Sequence, residues 1–303
     1  MLSKKNNSFF EYNLDIASSK FFLYYLSKIL CVKIYEINLK IRYYKSYSKI
    51  RNLKQKYSGP ILCIANGPSL SSSIDRASKE LNLDFSQIPV FACNEYWMHQ
   101  NLIGLKPQFY TLFDPDYFHT STVNLENIKN NSDYDERKNV GELLKSWANT
   151  SNEVLESDMT VFINISHTKN IQNKTGDNIY PILGLTSPIV NNISDITRTL
   201  KIPSLTVYMN ICIAAYMGFS PIYLAGYDNS STLTLSRLEN GNLTYRFEHF
   251  YPETKNETIR ISKMETHEFF SSASQIHRLH MNLKNLNVIN LDRTGITGLQ
   301  HGI

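Results

Sequence analysis

Asn66, Asn94, Asp114 and Asp228 each follow a short apolar run, and their amide and carboxylate groups are the side chains best spaced in this sequence to hold a ligand together. The runs are ILCIA at 61–65, IPVFAC at 88–93, QFYTLF at 108–113 and the shorter Ile222–Leu224. A continuous apolar run closed by turn residues reads as a strand buried in a parallel sheet. In an open α/β sheet ligands bind just beyond the carboxyl ends of such strands, so polar residues at four strand ends converge on one edge. The first end is Asn66-Gly67-Pro68-Ser69. It offers the Asn66 and Ser69 side chains, and Gly67 allows a ligand to approach the backbone closely. Ser71, Ser72 or Ser73 could cap the helix that follows, whose N-terminus would favour an anionic group such as phosphate. An ordinary strand-to-helix turn has the same shape. The segment is not the dinucleotide fingerprint, which needs three glycines where this has one, and it lacks the lysine of a P-loop. Asp114-Pro115-Asp116 has the spacing of paired carboxylates that hold a divalent ion against a diphosphate. A substrate-contacting Asp114 and a plain turn are the other readings of that tripeptide.

The elements that must position these residues alternate along the chain. Residues 1–57 read as a basic helical N-terminal extension, closed by Ser58-Gly59-Pro60, and 58–303 as the main domain. Helices are expected near 73–82, before Lys106-Pro107, around Val140–Ala148, over Val207–Met217 and near 266–283. Further strands are expected at 159–165 and 286–291. Residues 167–204 are Asn- and Thr-rich and predicted to be loop, and 229–262 to be irregular. Alternating strands and helices predict an α/β, Rossmann-like fold with a largely parallel sheet and helices on both faces.

Composition narrows the class. A chain of 303 residues with 42% hydrophobic and 19% charged residues is an ordered globular protein with a full core. Nineteen Tyr and fifteen Phe against twelve Gly make it rich in aromatics, which suits sugar or base stacking as well as packing. Cys31, Cys63, Cys93 and Cys212 have neither zinc nor disulfide spacing, so reduced thiols and a cytoplasmic setting are expected. The first residues carry no signal-peptide pattern, and no run of about 18 apolar residues predicts a membrane span.

The net charge of +4 is unevenly distributed. Between Lys20 and Lys56 there are ten Lys or Arg and one acid, Glu36, for a local net of +9; the remainder of the chain carries −5. Phe22, Leu26, Ile29, Leu30, Ile34 and Ile37 recur at helical intervals within that segment. Such a helix could lie on an anionic membrane surface, peripherally on the inner membrane, or pack on the main domain or on a second subunit of a homo-oligomer. Nucleic acid is not expected as a partner, because the basic charge is confined to this one segment.

ILCIANGPSL, PVFACNEYW, QFYTLFDPDYF and VYMNICIAAYMGFSPIYLAGYD together resemble the bacterial sialyltransferases that finish lipooligosaccharide chains. They resemble equally the sialyltransferase-like domain of motility-accessory-factor and 6-hydroxymethylpterin-diphosphokinase-like proteins. The likeness covers 60–120 and 205–230, and more weakly 245–295. It implies a sialyltransferase-like variant of the GT-A Rossmann fold and a donor of the CMP-sugar class. By position, Asn66 and Asn94 would contact the CMP part, with Gly67 and Ser69 lining the phosphate; Pro68 beside them, the strand-end residues Asp114 and Asp228, and Tyr227 are further candidates for binding the donor. The sequence departs from the pattern in three places. Asp114 stands where those enzymes carry Asn, Ser204-Leu205-Thr206 replaces their Thr-Ser-Gly, and Tyr227, Tyr245 and Tyr251 are only candidates for the tyrosines that support the leaving phosphate.

The reaction the resemblance implies is inverting transfer of a nonulosonic or related acidic sugar to a cell-surface glycan acceptor, in lipopolysaccharide or capsule biosynthesis. It needs a base for the acceptor hydroxyl, and histidine suits that task near neutrality. His249, in Glu248-His249-Phe250, and His267, in Glu265-Thr266-His267, are the two contenders. Arg246 and Arg260 could pair with a donor carboxylate or phosphate. CMP carries one phosphate, so no metal or other cofactor is required on this reading. Two alternatives stay open. One is a magnesium-dependent phosphotransferase or UDP-sugar transferase built on Asp114 and Asp116; the other is a non-catalytic binding or assembly protein of the same fold.

Overall fold

The apolar run Ile61–Ile64 forms β1, which lies inside an eight-stranded sheet in the computed structural model of this chain. The structure describes residues 24, 26, 27, 29–38, 40–118, 140–165, 177–185, 192, 194–201, 206–227, 235–239, 242–246, 250, 258–261, 283–292 and 300–301. The other strands of the sheet are β2 (Val90–Cys93), β3 (Phe109–Leu112), β4 (Thr160–Asn164), β5 (Ile179–Ile182), β8 (Ile222–Ala225), β12 (Val288–Asn290) and β13 (Gln300–His301). Their spatial order is β13-β12-β8-β1-β2-β3-β4-β5, and every neighbouring pair is parallel. From β1 the chain steps outward through β2 to β5, then returns to the far side of β1 as β8. The direction of winding therefore reverses between β1 and β8, and the crevice above that point is where open α/β sheets bind ligands.

Strand alternation sorts the core into two layers. Ile61 and Cys63 of β1, Phe91 and Cys93 of β2, Phe109 of β3 and Phe162 of β4 face one side. Leu62 and Ile64, Val90 and Ala92, Tyr110 and Leu112, and Val161 and Ile163 face the other. The second side is covered by α3 (Leu70–Leu81), α4 (Tyr96–His99) and α5 (Val140–Glu156), through Leu70, Ala77, Tyr96, Trp147 and Val154. The first side is covered by α6 (Thr206–Met217), which is apolar nearly all round and has ten buried residues. Both faces of the sheet are thus packed against helices, as the Rossmann-like reading requires.

The basic segment enters the structure as α1 (29–38) and α2 (Tyr44–Arg51). Ile50 and Leu53 are buried in the core layer that α6 covers. Gln55 and Tyr57 donate backbone hydrogen bonds to Tyr216 O (3.0 Å) and Met217 O (2.9 Å) at the end of α6. Gly218 permits this contact, with φ +102 and a position where a Cβ would lie 2.5 Å from Tyr57 O. Glu36 of α1 is buried as well. It accepts from Lys40 (2.6 Å), Thr199 Oγ1 (3.1 Å) and Lys33 (3.2 Å).

Several elements differ from the sequence expectation. Helix α3 begins at Leu70 rather than near 73, with Ser69 at its N-cap. Helix α5 runs to Glu156, two turns past the expected stretch. The stretch 167–204 contains β5, which joins the main sheet, and the short parallel pair β6 (Gly184–Leu185) and β7 (Leu200–Lys201). Ile179 and Ile182 are buried there, a signal diluted by the Asn and Thr around them. The stretch 229–262 contains β9 (Leu235–Glu239), β10 (Asn242–Arg246) and β11 (Thr258–Ile261), a three-stranded antiparallel sheet. Asn240-Gly241, between β9 and β10 in sequence, is a strong hairpin signal. The expected helix at 266–283 lies almost wholly outside the described residues.

Candidate functional site

The loops after β1, β2 and β8 meet above the β1–β8 reversal. Asn66 Nδ2 donates to Cys93 O (3.4 Å), which brings the first strand end to the second. Gly67 N donates to Gly226 O (2.8 Å), tying the first loop to the one after β8. That approach requires glycine at 226: its φ is +70, and a Cβ there would lie 2.5 Å from Ala65 O. Phe250 N donates to Asn66 O (3.0 Å), and the Phe250 ring packs edge-on to His99, centroids 6.1 Å apart. An aromatic ring is thereby placed beside the Asn66 loop.

The end of β2 is held by a buried phenol. Tyr110 of β3 donates to Asn94 O and accepts from Trp97 N (2.9 Å). This holds Asn94 in the left-handed region, at φ +53. Burial pushes the Tyr110 phenol well above the ordinary tyrosine range, so it stays a donor. The Asn94 amide turns toward α6, where its Nδ2 meets Thr206 Oγ1 (3.3 Å). Its Oδ1 is buried and has no hydrogen-bond partner among the described residues. Asn210, one turn further along α6, is fully buried with neither amide atom in a well-formed hydrogen bond among the described residues. It lies against the Cys93 thiol, which burial raises to about 12 against a smaller lowering by the Asn210 amide. Thr111, paired with Cys93 across β2 and β3, is buried with Oγ1 likewise unbonded among the described residues. Asn94 Oδ1, Thr111 Oγ1 and the Asn210 amide are thus buried polar atoms near the end of β2 and the start of α6 that lack a well-formed hydrogen bond among the described residues.

A buried carboxylate organises the opposite side. Asp292, two residues past β12 and 1% exposed, accepts from Ser69 Oγ (2.7 Å), from Ser73 Oγ and from Tyr227 N (2.6 Å). Ser69 Oγ and Ser73 Oγ thus both reach Asp292, and Ser73 Oγ also lies 2.5 Å from Ser69 O. Among the serines expected to cap α3, Ser72 bonds back to Ser69 O (2.9 Å), and Ser69 stands at the cap with no side-chain capping bond.

Of the residues singled out from sequence, Asn66, Gly67, Ser69 and Asn94 come together at this edge, with Pro68 exposed beside them. Asp114 lies two residues past β3 and is partly buried. Tyr227 sits at the end of the β8 loop, but its ring is 4% exposed and belongs to the core layer under α6. What Tyr227 contributes to the edge is its backbone N–H. Asp228, His249, His267, Tyr251 and the side chains of Asp116, Tyr245, Arg246 and Arg260 lie outside the described residues. Among the described residues, no group of three or more His, Cys, Asp or Glu is placed to hold a metal ion.

Sequence reading missed Asp292, Thr111 and Asn210, and it named Ser73 only as a helix cap and Thr206 only within Ser204-Leu205-Thr206. Asp292 follows the apolar run LNVINL, the same strand-end signal that exposes Asn66. Asn210 is a lone amide within VYMNICIAAYM, a polar residue where helical packing alone would ask for an apolar one.

Fold and site together define a Rossmann-like α/β protein with a polar cluster at the winding reversal of a parallel sheet. No protein-family model matches the chain, and no curated protein matches it. Among solved structures it is similar to the MAf glycosyltransferase from Magnetospirillum magneticum AMB-1, at 11% identity and a TM-score of 0.45. That likeness covers 84% of this chain and 36% of the other, so this chain spans little more than a third of that protein's length.

Proposed function

We propose that this chain is a glycosyltransferase that moves a nonulosonic acid or related acidic sugar from a CMP donor to a surface glycan. The observation that carries the reading is the meeting of Asn66 and Asn94 above β1 and β2, where Asn66 Nδ2 reaches Cys93 O and Asn94 Oδ1 is left without a partner among the described residues. The motif resemblance assigns these two asparagines to the CMP part of the donor, and adjacent strand ends are where a nucleotide binds in such a sheet.

On this reading the acceptor oxygen attacks the anomeric carbon from the face opposite CMP. The bond from that carbon to the phosphate oxygen breaks, CMP departs with the electron pair, and a base takes the acceptor hydroxyl proton. His249 is the first candidate base, because Phe250, the next residue, bonds to the Asn66 loop; His267 is the second. Asn66 and Asn94 hold the nucleotide, and the loop Gly67–Ser69 faces its phosphate. Reduced, buried Cys63, Cys93 and Cys212 suit work in the cytoplasm.

Melting temperature in CMP, CDP, UDP and ATP, each with and without magnesium, tests the proposal. The expected result is a metal-independent upward shift with CMP that Asn94→Gly removes. A shift that needs magnesium with UDP or ATP would replace it with the Asp114/Asp116 reading. No shift with any nucleotide would leave a binding or assembly protein.

A further inference from the structure

Helix α1 and its flanking described turns carry an apolar stripe that the fold leaves uncovered. Leu26, Leu30, Ile34, Ile37 and Ile41 are 50–71% exposed. Their spacing of four, four, three and four residues puts all five on one helical face. The side of α1 that meets the main domain is a different one, where Glu36 is buried against Thr199. Helical periodicity places Lys33 and Lys40 along one border of the stripe and Arg42 beyond the other, with the exposed Lys45 just past the turn at Tyr43.

The charge pattern selects the occupant. Glu36 is the one acid between Lys20 and Lys56, and it is enclosed by Lys33, Lys40 and Thr199. A second copy laid on the stripe would set two +9 segments against each other with no exposed carboxylate of either segment to bridge them. An anionic lipid surface has the opposite property: acyl chains receive the five apolar side chains, and headgroups meet the exposed Arg42 and Lys45.

We infer that α1 is an interfacial helix that seats the Leu26–Ile41 stripe on an anionic membrane surface. The seating sets the main domain beside the membrane; among the described residues no helix is long and apolar enough to cross one.

Flotation of the full chain with phosphatidylcholine vesicles, with and without 30% phosphatidylglycerol, tests this. Binding to the anionic vesicles is expected to exceed binding to the neutral ones at least tenfold and to fall as salt is raised. Ile34→Gln with Ile37→Gln, and separately Arg42→Gln with Lys45→Gln, are each expected to lower it about tenfold while leaving the melting temperature unchanged. Equal binding to both vesicles, or binding to neither, overturns the inference. So does a dimer in sedimentation that the Ile34→Gln/Ile37→Gln variant dissociates, which would make the stripe a contact between copies. Should the apolar variant fail to fold, the charge variant and the lipid and salt comparisons still decide the matter.

Discussion

Ser69 Oγ lies 2.7 Å from Asp292 Oδ1, a bond that spans 223 residues of sequence and joins the loop after β1 to the end of β12. The same carboxylate accepts from Ser73 and from Tyr227 N, so one side chain fixes the loop after β1, the first turns of α3 and the loop after β8. A buried carboxylate with these donors is a structural clamp, and its loss removes the bonds from Ser69, Ser73 and Tyr227 N. Asp292→Ala is expected to cost about 3 kcal/mol, and Asp292→Asn less, because the amide oxygen still accepts. Urea unfolding reads the difference; equal midpoints for Asp292→Ala and wild type would refute the clamp.

Two glycines with the same backbone sign separate strain from collision. Gly226→Ala adds a Cβ 2.5 Å from Ala65 O at φ +70, and the obstacle is backbone. Gly59→Ala has φ +81 with nothing within 4 Å of the new atom. The second should cost about 1 kcal/mol from conformation alone, and the first upwards of 2 kcal/mol. Melting curves of the two variants, compared directly, check the ranking.

Asn94 and Asn210 can be removed without dismantling the fold. Asn94→Gly keeps the left-handed backbone at φ +53 and deletes only the amide. It is expected to hold stability within about 1 kcal/mol while abolishing the CMP-induced shift. Asn210→Leu replaces a buried amide with no well-formed bond among the described residues by an apolar group of similar size. It should leave stability unchanged or higher. Weaker nucleotide binding in this variant would show that the amide serves a ligand, whereas unchanged nucleotide binding would make it a packing residue.

The buried thiols predict both reactivity and alkaline stability. Cys31 is exposed, while Cys63, Cys93 and Cys212 are buried, so native protein at pH 8 should be alkylated at Cys31 alone, as peptide mass spectrometry would show. Burial raises the Cys93 and Cys212 thiols from 9.0 to about 12 and Cys63 well above its usual value. Above pH 9 the unfolded chain therefore releases protons that the folded chain retains. Stability is fully present below pH 9 and falls as pH rises from there through about 12. The buried phenols of Tyr96, Tyr110 and Tyr117 extend the same loss from about pH 10 upward. Urea midpoints that stay level between pH 8 and 10.5 would contradict this.

Much of the central sheet was legible in the sequence because a strand covered on both faces must be apolar throughout. ILCI, VFAC, FYTL and IYLA announce themselves for that reason. Asn66 and Asn94 followed from the rule that ligands bind past strand ends. The edge strand β5 was hidden in polar sequence, since it is flanked by loop and has one neighbour in the sheet. The strands β9 to β11 are obscured in sequence by the polar residues of 229–262, where Asn240-Gly241 is the local signal of a hairpin.

By itself the sequence determined a parallel α/β fold, the polar strand ends and a basic N-terminal helix, since each is a local pattern of side-chain type along the chain. Only the tertiary structure decided that Ser69 and Ser73 meet Asp292, and that the Tyr227 ring belongs to the core. It alone set Asn210 against Cys93 and Gly226 against Ala65, and left the Leu26–Ile41 stripe uncovered. Those facts depend on which residues far apart in sequence come within bonding distance, and that is settled by how the two core layers pack on the sheet.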